Sequence, residues 1–122
     1  MPPARVLIVD DEEDIADLLG ECLIEAGYEV TLAASGQEAL DLAPGLRPDV
    51  VILDMSMPGL SGLEVLTALH HETPRLPVIM ISGRSSGPPP SDAFAAIEKP
   101  FDLDALVPIV AAAVEQGRTS RR

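Results

Sequence analysis

The sequence predicts an α/β fold built on a single doubly wound, five-stranded parallel sheet. Short, almost wholly apolar runs alternate with stretches of helical periodicity. That is the pattern of strands covered on both faces by crossover helices. The 122 residues suit one such domain. Aromatics are limited to one Tyr and two Phe with no Trp, so the core must be aliphatic.

Taken in order, Arg5-Val6-Leu7-Ile8-Val9 is a β-branched run that acids follow, a buried strand. Ile15, Leu18, Leu19, Cys22, Leu23 and Ala26 recur at helical spacing, and Gly27 stops that helix. Residues 28–33 alternate as a second strand. Ser35 with Glu38 forms a capping box that opens a short second helix, which Pro44 and Gly45 end. The third strand is residues 49–53, followed by Asp54 and the loop MSMPGLSG. Ser61 with Glu64 opens a third helix carrying Leu63, Leu66 and Leu69. Pro77 introduces a fourth strand at 78–81, and a weaker fifth lies at 95–98. The last helix carries Leu103, Leu106, Val107, Val110 and Val114. This is the flavodoxin-like arrangement, with strand order 2-1-3-4-5. Residues 1–122 read as one domain with a core at about 5–116 and a tail at 117–122, without repeat or linker.

Two places break the regularity. Residues 83–91 read GRSSGPPPS where a fourth crossover helix is expected, and three consecutive prolines favour an extended conformation. The fourth helix is therefore short or missing, with at most a turn near Ser91 to Phe94. Pro108 falls inside the last helix, where it removes a donor at a cost of about 3 kcal/mol unless the helix kinks or starts late.

Net charge is −12, from 20 acids against 8 bases, which disfavours direct binding to a phosphate backbone. Most of that acidity is equally suited to keeping a protein soluble. No apolar run approaches the roughly 20 residues of a membrane helix, and the N-terminal run ends in acids, not in a cleavage site. The single Cys22 excludes an internal disulfide framework and suits a reducing compartment. A cytoplasmic protein that does not engage a membrane is expected.

In a doubly wound sheet, ligands bind beyond the carboxyl ends of the strands. The first strand delivers Asp10 and Asp11, with Glu12 next; the third delivers Asp54, the fourth Ser82 and the fifth Lys99, the only lysine. Close carboxylates repel, and a hard divalent cation such as Mg²⁺ resolves the repulsion. A carboxylate beside Mg²⁺ and an ammonium can attack a phosphoryl donor and form an acyl phosphate. Taken singly, each residue has an ordinary alternative. Asp11 or Glu12 could cap a helix, Asp54 could begin a turn, Ser82 could be a loop residue and Lys99 a surface lysine. Their convergence at strand ends favours the chemistry.

The segments VLIVDDEED, VILDMSMPGLSG, VIMISG and EKPF resemble the motif regions of bacterial two-component response-regulator receiver domains, over roughly residues 5–116. The resemblance implies that Asp54 accepts a phosphoryl group and that Asp11 ligates Mg²⁺ directly, with Asp10 assisting. It implies that the backbone carbonyl of Ser56 completes the protein's share of the metal shell. Ser82 and Lys99 stand where the family places its hydroxyl and its lysine, and Lys99–Pro100 would be cis. Ser56 and Arg84 occupy variable flanking positions, and Arg84 could cover the phosphoryl group or face solvent. The family's usual aromatic is replaced by Ala96, for which Phe94 could substitute or simply be core. The resemblance further implies a histidine kinase or phosphotransfer protein as donor, an unknown downstream protein target, and a switch in place of a turnover enzyme.

Two other readings compete. A pseudo-receiver would act as a binding module without phosphorylation, as Ala96 and the prolines suggest. A phosphatase of the haloacid-dehalogenase type would use Asp10 as nucleophile, with an acid two positions on, here Glu12.

Overall fold

The computed structural model describes residues 3–83, 90–99 and 101–120, the last three of these by their backbone alone. The elements are β1 (Arg5–Val9), α1 (Glu13–Glu25), β2 (Glu29–Ala33), α2 (Gly36–Leu46), β3 (Val50–Asp54), α3 (Gly62–Glu72), β4 (Val78–Ser82), β5 (Ala95–Glu98) and α4 (Leu103–Ser120). All strand pairs are parallel and the order is β2-β1-β3-β4-β5, as the sequence predicts.

Alternating side chains of the central strands feed two separate apolar layers. Val6, Ile8, Val50, Ile52, Ile79 and Ile81 pack with Leu19 and Leu23 of α1 and Leu106, Val110 and Ala113 of α4. Leu7, Val51, Leu53, Val78 and Met80 pack on the other face with Ala39 of α2 and Val65, Leu66 and Leu69 of α3. Every residue of β3 is buried, as expected of a central strand covered on both sides.

Helix ends follow local chemistry. Past α1, Gly27 takes a left-handed φ of 100°. There its N–H bonds the Ile24 carbonyl at 3.0 Å, and the Tyr28 N–H bonds the Leu23 carbonyl at 3.0 Å, a Schellman closure. The Ser61–Glu64 capping box is present in both directions. At Ser35 only one direction is seen, the hydroxyl accepting from the Glu38 N–H at 3.1 Å.

Three expectations are corrected. First, α2 runs through Pro44 and Gly45 to Leu46. A proline already has helical φ and deletes a single donor, and Pro44 is exposed, where water can take up the freed carbonyl. The stop comes instead at Arg47, left-handed at φ 51° and followed by Pro48, while the Arg5 guanidinium caps the Leu46 carbonyl at 2.9 Å. Second, the buried stripe of α1 is Ala16, Leu19, Gly20 and Leu23; Leu18 is 54% exposed and Ala26 also faces outward. The period was right and its phase was about one position off, because small Ala16 and Gly20 take the sheet-facing positions. Third, α4 continues through the expected tail to Ser120, and Gly117 is buried, so close to Pro77 that a Cβ would meet its ring at 3.2 Å. Pro108 lies within α4, as the sequence predicts, and both it and Asp104, whose carbonyl loses a donor, are exposed.

Among the described residues no helix lies between β4 and β5; residues 91–94 form turns, with the Ala93 N–H on the Pro90 carbonyl at 3.2 Å. Arg84, Pro88 and Pro89 lie outside the described residues.

Helices α2 and α3 meet closely at Gly36, where an added Cβ would stand 2.5 Å from a Val65 methyl. Gly36→Ala is expected to destabilise the domain by about 1–3 kcal/mol in urea unfolding. Gly45→Ala, in open space near the end of the same helix, should stabilise it by up to about 1 kcal/mol.

Candidate functional site

Parallel register brings the strand ends to one level. Val9 of β1 is paired with Leu53 of β3, so the next residues, Asp10 and Asp54, emerge side by side. Asp54 is in turn paired with Ile81, and Ser82 with Glu98, so Lys99 follows immediately at the edge. The Lys99 N–H bonds the Ser82 carbonyl at 2.8 Å, which extends the ladder one residue to place the lysine.

Asp10 and Asp54 are 3% and 2% exposed. Each spends one oxygen on the turn behind it. Asp10 Oδ1 accepts the Glu12 N–H and Asp54 Oδ1 accepts the Ser56 N–H, both at 2.9 Å. Asp54 Oδ2 takes the Lys99 ammonium at 3.2 Å. Asp10 Oδ2 is buried with no hydrogen-bond partner among the described residues. Glu12 Oε1 lies 3.6 Å from Lys99 Nζ. Asp10, Glu12 and Asp54 can each offer an oxygen within 4.8 Å of the others.

Burial pushes the Asp10 carboxyl up from 3.8 to about 6, with the Asp54 charge adding to the rise and the Glu12 N–H and Lys99 opposing it. For Lys99, burial alone would lower the ammonium's pKa. The hydrogen bond and charge of Asp54, with Asp10 and Glu12 behind it, outweigh that, and the net shift is upward. Lys99 is thus held cationic, while Asp10 has no ion pair of its own among the described residues.

The sequence-derived residues are thus largely assembled. Asp10, Asp54 and Lys99 form the centre, with Ser82 half-buried at the end of β4. Ser56 is exposed in the turn after β3. Asp11 is exposed and does not join the oxygen cluster; Glu12 does. Glu12 sits at the N-cap of α1 without a capping side-chain bond, which overturns its reading as a cap and makes it the residue that sequence reasoning undervalued. Its signal was the unbroken run of acids after β1. Phe94 precedes β5 and, like Ile97, packs against the α1/α4 layer, so it is part of the core, and Ala96 is exposed. Arg84 and Pro100 lie outside the described residues.

An unpartnered, buried carboxylate oxygen among hard oxygen donors fits a divalent cation such as Mg²⁺. The sequence profile of the response regulator receiver domain matches residues 6–111. The chain belongs to the response-regulator receiver domains of two-component systems.

Response regulator MprA of Mycolicibacterium vanbaalenii is 39% identical over 113 residues, covering 86% of this chain and 48% of that protein. The transcriptional regulatory protein YkoG of Bacillus subtilis is 38% identical over 124 residues, covering 98% and 54%. This receiver domain therefore spans about half the length of the curated relatives it matches. Among solved structures, a receiver domain protein of Clostridium thermocellum superposes with a TM-score of 0.85 at 30% identity, covering 95% of this chain and 98% of that one. The receiver domain of NtrX from Brucella abortus gives 0.80 at 35%, covering 90% and 98%. Membership sets aside the haloacid-dehalogenase reading of Asp10. No helix among the described residues is long and apolar enough to cross a membrane.

A carboxyl whose folded pKa is raised favours the fold below its unfolded pKa, and that support is lost as pH rises through the folded value. For Asp10 the loss falls between about pH 4 and about 6. In metal-free buffer, Asp10→Asn should therefore be the more stable protein above about pH 6, by roughly 2–3 kcal/mol. An amide there keeps the bond to the Glu12 N–H without the charge. Thermal unfolding across pH, with EDTA present, reads the difference.

Proposed function

We propose that the domain accepts a phosphoryl group on Asp54 and signals through protein–protein contact. The observation that carries this reading is the buried Asp54 carboxylate paired to Lys99 beside the orphaned Asp10 oxygen. An Asp54 oxygen attacks phosphorus, the bond from phosphorus to the donor's leaving group breaks, and an acyl phosphate results. Lys99 neutralises charge on the transferred oxygens as a compact cation, and the Ser82 hydroxyl donates to one of them.

Asp10 and Asp54 would hold Mg²⁺, with Asp11 and the Ser56 carbonyl completing the set that the family implies. The ion, when bound, supplies further charge neutralisation. Two buried carboxylates with an oxygen left open favour this reading over a module that signals without phosphorylation.

The donor is a histidine kinase or phosphotransfer protein, and the target is a further protein. The 122 residues act as one cytoplasmic receiver unit without a nucleic-acid interface of its own, consistent with the net charge of −12. Receiver domains are signalling modules, and any self-catalysed gain or loss of the phosphoryl group belongs to this switch.

Incubation with Mg²⁺ and acetyl phosphate should give one acid-stable, base-labile phosphoryl adduct by intact mass. Asp54→Asn should abolish it, and Lys99→Ala should slow its formation by about a hundredfold. An adduct that persists in Asp54→Asn refutes the assignment.

A further inference from the structure

Glu12 stands at the N-cap position of α1, yet its side chain makes no capping hydrogen bond. Its backbone N–H serves Asp10, and its carboxylate instead approaches Lys99. The ammonium is thus within reach of two acids, 3.2 Å from Asp54 Oδ2 and 3.6 Å from Glu12 Oε1. Asp54 is buried and Glu12 is exposed, so one partner lies inside the crevice and the other at its mouth. Asp10, whose buried Oδ2 has no partner among the described residues, belongs to the same cluster, which marks it as a site for a ligand and not a solvated acidic face. An ion pair as exposed as Glu12–Lys99 contributes little to folding. Its consequence lies in where the charge of Lys99 is held.

We infer that Glu12 is a positioning residue that restrains Lys99: in the unphosphorylated domain it shares the ammonium with Asp54, and on phosphoryl transfer it yields the ammonium to a phosphoryl oxygen. The inference rests on Asp54 being the phosphoacceptor. In that transfer an Asp54 oxygen bonds to phosphorus and the leaving group departs with the electrons of the broken bond. The entering group brings negatively charged oxygens toward Lys99. The carboxylate of Glu12 opposes this twice, by engaging the ammonium and by repelling the oxygens. Glu12→Gln keeps the shape and removes the charge, so it releases Lys99 and quickens transfer. Glu12→Asp keeps the charge on a shorter stem.

Lys99 is the only lysine, so lysine-selective ¹³C labelling of the whole chain gives a single side-chain signal. Wild type, Glu12→Gln and Glu12→Asp are compared by NMR in metal-free and Mg²⁺-saturated buffer. Phosphate uptake from acetyl phosphate is then followed at saturating Mg²⁺, so that any change in metal affinity drops out. Glu12→Gln should shift the Lys99 signal and make the side chain more mobile. It should also take up phosphate roughly three- to fivefold faster, the rate equivalent of one exposed ion pair. Glu12→Asp should stay nearer to wild type in both readouts. A Lys99 signal indifferent to Glu12→Gln overturns the inference, and so does a shifted signal without faster uptake. Wild-type protein that takes up no phosphate, while its Lys99 signal still responds to Glu12→Gln, overturns the phosphoacceptor reading and the yielding step with it. That result is distinguishable from failure of the Glu12 contact itself.

Discussion

Two carboxylates, Asp10 and Asp54, are buried side by side at the ends of adjacent strands, and the rest of the site follows from that juxtaposition. Neighbouring strands lie about 4.8 Å apart, so their next residues cannot avoid one another. Like charges so placed are tolerated only with cations nearby or with a proton retained. Among the described residues the cation at the site is Lys99, and β5 must sit at its particular edge to deliver it. That cation reaches Asp54 and leaves an Asp10 oxygen open. An open carboxylate oxygen beside that ion pair is the arrangement that the proposed binding of a divalent ion and a phosphoryl group would use.

Much of this was legible because the strands are central. A strand buried on both faces must be apolar throughout, so β1, β3 and β4 stand out in the sequence, and the first polar residue after each is a candidate by position alone. Asp10, Asp54 and Ser82 are found that way, and Lys99 as the residue that follows the weaker β5. What was harder to read is orientation among neighbours. After β1 come consecutive acids, and composition cannot say which of them turns inward. The structure brings Glu12 to the cluster and leaves Asp11 exposed. The same kind of ambiguity misplaced the stripe of α1, where Ala16 and Gly20 face the sheet and the larger Leu18 does not. Proline was over-read as a helix stop at Pro44, because its loss is one donor at an exposed position and its φ is already helical.

The receiving end and the transmitting end of the domain differ in how closely they follow the family's plan. The layer formed by α1 and α4 is continuous, with Leu19, Leu23, Leu106 and Val110 fully packed. Beyond β4 the usual crossover helix has no counterpart among the described residues, and Ala96 is an exposed small residue where the family carries an aromatic. A rotamer change of a large ring cannot report the state of Ser82 in such a strand. In the proposed phosphoryl transfer, other groups near Asp54 would carry the output, and Lys99 with its contact to Glu12 is one that would change partners.

The most direct test of the central claim is chemical localisation of the modification. Protein treated with Mg²⁺ and acetyl phosphate is reduced with borohydride, which converts an aspartyl phosphate to homoserine, and the peptides are sequenced by mass spectrometry. Homoserine is expected at position 54 and nowhere else. Homoserine at position 10 or 11 with none at 54, or a phosphoryl group that resists borohydride, would contradict it.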